Sequence, residues 1–89
     1  MKAVMESKYQ WNEELFQWER VERVQEYRGC MIETLRTRDD SDDPIYHREY
    51  RTTYPSGKVT YTRINKRACG NIKDLKEYID FKLKYGLAL

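Results

Sequence analysis

The chain has 89 residues, which is enough for one small domain and too few for the larger catalytic folds. Hydrophobic residues make up 39% and charged residues 36%, so the composition predicts a small core beneath a heavily charged surface. The formal net charge is +2, from 17 Lys and Arg against 15 Asp and Glu. This near balance argues against a strongly basic nucleic-acid coat and against an acidic mimic of nucleic acid.

The N-terminal residues contain no apolar run of the kind found in a secretory signal, and no stretch approaches the length of a membrane span. We therefore expect a cytoplasmic protein without membrane association. Cys30 and Cys69 lie far apart and outside any C-x-x-C pair, which predicts neither a disulfide scaffold nor a zinc site. We expect both cysteines to be reduced and buried.

Residues 8–22 are predicted to form an N-terminal helix, which a capping box over residues 7–10 would begin. The apolar residues of one predicted helical face are Trp11, Leu15, Trp18 and Val21. Phe16 falls off this face. It either makes a second contact or indicates that the helical phase is wrong.

Residues 24–37 show the two-residue period of a strand with apolar side chains on both faces. Gly29 lies inside this run and predicts a β-bulge that aligns Tyr27 with Cys30. The aspartate-rich residues 39–44 are predicted to form a loop. This loop lacks the Gly and Glu of a calcium-binding EF-hand.

Residues 45–54 and 59–65 are predicted to form a hairpin, because Pro55-Ser56-Gly57 suits a three-residue turn. The predicted cross-strand pairs are Tyr54 with Lys58, Thr52 with Thr60, Tyr50 with Thr62, Arg48 with Ile64 and Glu49 with Arg63. This register gathers Tyr46, Tyr50, Tyr54 and Ile64 on one face, which we expect to be the inward one.

Residues 72–85 are predicted to form a C-terminal helix that Asn71 caps and Gly86 closes. Its apolar stripe consists of Ile72, Leu75, Ile79 and Leu83. The sequence thus predicts a single α+β domain over residues 1–89: an N-terminal helix, a three-stranded antiparallel meander and a C-terminal helix packed on the sheet.

Enzymatic activity is not expected. His47 is the single histidine, and the sequence contains no phosphate-binding glycine loop, metalloprotease motif or paired-acid motif. A site that combines Ser or Cys with His would have to be built around His47 alone. We accordingly predict no catalytic residues, no bound metal and no cofactor.

The charges are segregated along the chain. Residues 1–43 contain seven basic and eleven acidic side chains, whereas residues 44–89 contain ten and four. A basic, tyrosine-rich sheet is one hypothesis for nucleic-acid binding, through His47, Arg51, Lys58, Tyr61, Arg63, Lys66 and Arg67. The alternative is an ordinary solvated face, and the acidic loop over residues 39–43 weighs against phosphate binding.

The preferred hypothesis is a non-catalytic protein-interaction module. Aromatic and arginine side chains are the usual anchors of protein interfaces. The candidate partner-binding residues are Trp11, Phe16, Trp18, Arg51, Tyr61 and Arg63. A host protein is the expected partner and nucleic acid is the alternative, while the oligomeric state, including a dimer, is left open.

Residues 27–80 resemble the small β-β-β-α proteins common in bacteriophages and mobile elements. The resemblance depends on Tyr27-Arg28-Gly29-Cys30-Met31-Ile32, on the Pro-Ser-Gly hairpin and on residues 72–80 of the predicted helix. Those proteins often read Y-[RK]-G-x-x-I at the first strand, with an aromatic residue where Cys30 stands here. The resemblance implies a phage or mobile-element origin and a fold. With such an origin, the hypothesis becomes an inhibitor of a host defence or transcription enzyme.

Overall fold

The computed structural model describes residues 8–87, which form five antiparallel strands followed by one helix. The elements are β1 (Gln10–Asn12), β2 (Gln17–Tyr27), β3 (Cys30–Arg38), β4 (Tyr46–Thr53), β5 (Val59–Arg63) and α1 (Ile72–Lys84). The strands are arranged in the order β1-β2-β3-β4-β5, so each strand pairs with its neighbours in the sequence. The fold is therefore an α+β meander with its helix at the C-terminal end.

The predicted N-terminal helix over residues 8–22 is wrong, because these residues form β1, a turn and the first half of β2. Trp11 lies opposite Trp18 across this hairpin, so the spacing that suits a helical face also suits a cross-strand pair. Phe16 lies in the turn with φ of 53°. Of the predicted capping box, Ser7 lies outside the described residues.

The predicted single strand over residues 24–37 is wrong, because this segment contains the end of β2, a turn and most of β3. The sheet therefore has five strands instead of the predicted three. Arg28 and Gly29 have φ of 52° and 82° and form the two-residue turn between β2 and β3. Positive φ at both positions is typical of a type I′ hairpin turn. Gly29 is thus a turn residue, not a bulge, although Tyr27 does lie opposite Cys30. The bulge lies between Val21 and Arg23.

The predicted hairpin of β4 and β5 is confirmed together with its register. Tyr50 pairs with Thr62 and Glu49 with Arg63. The Ile64 amide donates to the Arg48 carbonyl over 2.9 Å. The turn is closed by Gly57, whose φ is 94° and whose amide donates to the Tyr54 carbonyl over 2.8 Å.

The C-terminal helix is also confirmed. Asn71 caps it, since its side chain accepts a hydrogen bond of 3.0 Å from the Asp74 amide. Leu75 and Ile79 are buried, and Ile72 and Leu83 pack at the margin of the same core. Within residues 8–87, no helix is long and apolar enough to cross a membrane.

The helix covers one face of the sheet, here called the helix face. Its core contains Cys30, Ile32, Tyr50, Tyr54, Cys69, Leu75 and Ile79. Both cysteines are buried and free, as predicted, and burial raises the pKa of each thiol. A raised thiol pKa disfavours the reactive thiolate, so these cysteines act as core residues. Tyr46, predicted to face inward, is half exposed because it lies beyond the helix.

Candidate functional site

The helix covers only part of the helix face. The core beneath α1 ends at Tyr50, whose side chain is buried, whereas Arg48 and Tyr46 in the same strand have side chains that are half exposed. The strands β2, β3 and β4 continue past this point, and within residues 8–87 no further layer covers them. This uncovered end of the helix face is the candidate site.

Strand register brings arginines and aromatic side chains into rows on this surface. Arg20, Arg36 and Arg48 lie directly opposite one another on three adjacent strands. The next row contains Trp11, Trp18, Arg38 and Tyr46. The aromatic–arginine face, as we call this surface, comprises Tyr9, Trp11, Phe16, Trp18, Arg20, Glu22, Arg23, Arg36, Arg38, Tyr46 and Arg48.

The rings and guanidinium groups form a continuous series. Phe16 and Trp18 each contact Trp11, with ring centroids 5.7 and 5.3 Å apart. The Arg38 guanidinium lies 5.3 Å from the Trp18 ring and 5.2 Å from the Tyr9 ring. Tyr9 lies 6.4 Å from Tyr46, which in turn lies 5.8 Å from the Arg36 guanidinium. Such stacking holds guanidinium groups in place without neutralising their charge.

Glu22 is the one acidic side chain of the face. The bulge in β2 supplies it, and its carboxylate lies 3.3 Å from Arg20, 3.8 Å from Arg36 and 3.5 Å from Arg48. Like charges directly opposite each other destabilise a sheet, so the arginine row depends on this shared counterion. One carboxylate for five arginines leaves the face with an excess of positive charge.

The aspartate loop, residues 39–44, borders the face beside Trp18 and Arg38. The Trp18 indole donates a hydrogen bond of 3.0 Å to Asp40, and Arg38 donates to the Asp39 carbonyl over 3.2 Å. Asp39 also accepts from the Ser41 hydroxyl, and this bond lowers the pKa of Asp39. The loop therefore limits the cationic surface beside Arg38 and leaves the row of Arg20, Arg36 and Arg48 open.

The opposite face of the sheet is curved and is here called the concave face. Its two edge strands approach each other, since the Asn12 side chain lies 3.3 Å from the Tyr61 hydroxyl. Leu35 is fully buried on this face, although no helix covers it. The curvature of the sheet thus creates a second, mostly polar interior.

The predicted site residues Arg51 and Arg63 belong to this concave face. Arg51 donates to both oxygens of Glu33, at 2.6 and 2.9 Å, and to Glu19 at 2.9 Å. Arg63 lies 3.3 Å from the buried Glu49. Arg51 is thus neutralised within the fold, and its principal partners are carboxylates rather than an external ligand.

The other predicted nucleic-acid-binding residues do not form one surface. Lys58 lies at the β4–β5 turn, where its ammonium donates to the Leu87 carbonyl over 3.3 Å. Lys66 and Arg67 lie in the loop before α1, and His47 is half-buried on the concave face. The three aromatic residues predicted for partner binding, Trp11, Phe16 and Trp18, do lie together, on the β1–β2 hairpin.

Sequence reasoning missed the arginines that line up with these rings. Arg20 follows Trp18 by two residues, and Arg38 follows Arg36 by two residues. This two-residue spacing is typical of side chains on one face of a strand and could have identified them. Their alignment with Arg48 depends on the β2–β3 hairpin, which the predicted N-terminal helix concealed.

No group of three or more His, Cys, Asp or Glu side chains suited to a metal ion occurs among residues 8–87. Comparison with protein-family models, with curated proteins and with solved structures finds no match to this chain. The comparisons therefore assign no role to the aromatic–arginine face.

Proposed function

We propose that the protein is a non-catalytic binding module whose aromatic–arginine face binds single-stranded nucleic acid. One observation carries this proposal: five arginines and five aromatic rings share one end of the helix face with a single carboxylate. Arginine forks match the oxygens of phosphate groups, and aromatic rings stack with bases.

The preference for a single strand follows from the exposed rings. Phe16 is 73% exposed and Tyr46 is 50% exposed, so each offers a ring face at the surface. Unpaired bases can stack on such rings, whereas the bases of a duplex are already stacked on one another. Each base stacked in this way contributes about 1–3 kcal/mol.

The same surface is compatible with the inhibitor role that the sequence predicts. Polymerases and helicases hold single strands in basic channels lined with aromatic side chains. A small chain that covers such a strand competes with the host enzyme for it. The protein would then act without chemistry of its own, by occupying the nucleic acid.

Fluorescence anisotropy with a labelled oligothymidylate of roughly 16 nucleotides tests the proposal. Changing Arg36→Ala together with Arg48→Ala should weaken binding about tenfold or more. It should also flatten the plot of log affinity against log salt by about 1.4, the value for two lost phosphate contacts on a single strand. The matched control is Lys73→Ala with Lys84→Ala, which removes the same charge from the helix.

Two results would contradict the proposal. The first is an absence of binding at low salt, and the second is an equal loss of affinity in the lysine control. Polyglutamate serves as a competitor that carries charge but no bases. If it displaces the oligonucleotide as well as unlabelled strand does, the face recognises an acidic protein instead.

A further inference from the structure

The last strand of the sheet has an open edge. The Tyr54 amide donates to the Lys58 carbonyl, and the Ile64 amide donates to the Arg48 carbonyl, which shows that even-numbered residues of this segment bond to β4. In an antiparallel ladder the intervening residues point their amides and carbonyls the other way. The backbone groups of Val59, Tyr61 and Arg63 therefore face outward.

Few groups among residues 8–87 occupy this edge. The Asn65 side chain donates to the Arg63 carbonyl over 3.4 Å, and the chain next pairs with itself beyond β5, where Asn65 bridges to Cys69. A strand edge with free amides and carbonyls is a template for another extended backbone. The edge of β5 is thus suited to a sixth strand.

A groove runs beside this edge. It has a volume of about 810 Å³ and lies between β5 and α1. Thr62 lines it from the sheet, and Tyr78 and Phe81 line it from the helix with rings that are half exposed. A strand added to β5 would direct every second side chain into this groove, where an apolar side chain would bury both rings.

The charge along β5 selects the partner. Lys58 directly precedes this strand and Arg63 ends it, and the strand contains no acidic residue. The groove itself is balanced, because Asp74 and Glu77 line it together with Arg63 and Arg67. Acidic side chains of a partner therefore fit beside β5 on the face away from the groove. A second copy paired antiparallel along β5 would bring the Arg63 end of one strand alongside the Lys58 end of the other. That repulsion disfavours a dimer through this edge, whereas carboxylates on the incoming strand would be attracted.

We propose that the edge of β5 binds an extended acidic peptide of a partner protein as a sixth strand. The peptide alternates apolar side chains, which enter the groove beside Tyr78 and Phe81, with acidic side chains, which lie beside Arg63 on the concave face. This site is separate from the aromatic–arginine face, so each proposal can fail without the other. It gives the expected protein partner a specific place of contact.

The probe is a library of random peptides displayed for selection against the full chain. We expect enriched sequences that alternate apolar and acidic residues. N-methylation along one enriched peptide should weaken binding at every second position only, by about fivefold to tenfold for each lost backbone hydrogen bond. Hydrogen exchange should show new protection of the Tyr61 and Arg63 amides in the complex.

Variants separate this site from the other surface. Val59→Pro removes an outward amide and leaves the ladder with β4 intact, so it should weaken peptide binding while Val59→Ala does not. Arg63→Glu should abolish selection of acidic peptides, whereas Arg36→Glu, on the aromatic–arginine face, should leave it unchanged. Circular dichroism checks that each variant remains folded.

Three results would overturn the inference. One is the failure of any peptide to be enriched, and another is N-methylation that weakens binding equally at all positions. The third is sedimentation equilibrium that shows a dimer sensitive to Val59→Pro, because the occupant of the edge would then be a second copy of the chain.

Discussion

Arg51 shows how a single residue holds the concave face together. Three of its nitrogens donate to Glu19 and Glu33. The hydrogen bonds to Glu33 chiefly raise the pKa of the guanidinium further above its ordinary value, and the charge of Glu19 adds to this effect. Glu19 in turn accepts from Asn12 and Gln17. The side chains of four strands thus meet in one network of charged hydrogen bonds.

Replacing this residue should be costly. We expect Arg51→Ala to lower the free energy of unfolding by about 3–5 kcal/mol, because it leaves two largely buried carboxylates without their cation. Urea denaturation measures the change. Arg23→Ala, which removes an exposed arginine, should change stability by less than about 0.5 kcal/mol. Similar values for the two variants would show that the network is not stabilising.

A second residue, Asp80, joins the helix to the β2–β3 turn and predicts a pH dependence. Asp80 accepts from the Tyr27 hydroxyl and from Arg28, each at 2.9 Å, and the Arg28 bond chiefly lowers the pKa of the carboxyl below its ordinary 3.8. A carboxyl whose pKa is depressed by folding stabilises the fold above its unfolded pKa. That contribution disappears as pH falls through the folded value.

Asp80→Asn should therefore be less stable than the wild type at neutral pH, and the two should converge as the pH falls below 3.8. Urea denaturation across this range measures the convergence. The control is Asp43→Asn in the exposed loop. A difference between wild type and Asp80→Asn that is constant with pH would contradict the assignment.

Among the elements, one hairpin and one helix were predicted correctly, because their turn and cap residues have a distinctive local chemistry. Pro55-Ser56-Gly57 and Asn71 identified the β4–β5 hairpin and the helix start, and both are confirmed. The predicted helix over residues 8–22 is wrong because the spacing of Trp11 and Trp18 fits both a helical face and a pair across a hairpin. Only pairing with β3, which is distant in sequence, decides between them.

Substitution of Gly29 tests whether this residue occupies a turn position with positive φ between β2 and β3. Gly29→Ala should destabilise the fold by about 1–2 kcal/mol, because φ is positive and the new Cβ would lie 3.2 Å from Pro55 Cγ. Gly57→Ala has a similar φ but open space around it, so its loss should be smaller. Thermal unfolding of the pair separates backbone strain from crowding. Equal losses would show that Pro55 yields freely.

At the scale of the whole molecule, charge is arranged by face rather than by position in the chain. Glu19 and Glu33 from the acidic half of the sequence neutralise Arg51 from the basic half. Arg20 and Arg36 from the acidic half align with Arg48 from the basic half. The count along the sequence revealed segregation, but only the strand register assigns each charge to a surface.

The position of Glu22 has a consequence for affinity. Its carboxylate holds three arginines in the free protein, so a phosphate group would have to take over bonds that already exist. The protein carries its own competitor for the anion it is proposed to bind, and the strength of binding reflects an exchange of anions.

Glu22→Gln removes this competitor while keeping its shape. We expect tighter binding of the oligothymidylate together with lower stability, because the arginine row loses its counterion. Anisotropy and urea denaturation on the same variant measure both effects. Weaker binding would instead show that Glu22 holds the three arginines in the position that the ligand needs. Competition between Glu22 and the ligand would then not limit affinity. If binding tightens while stability falls, one acidic side chain sets the balance between holding the sheet together and holding a ligand.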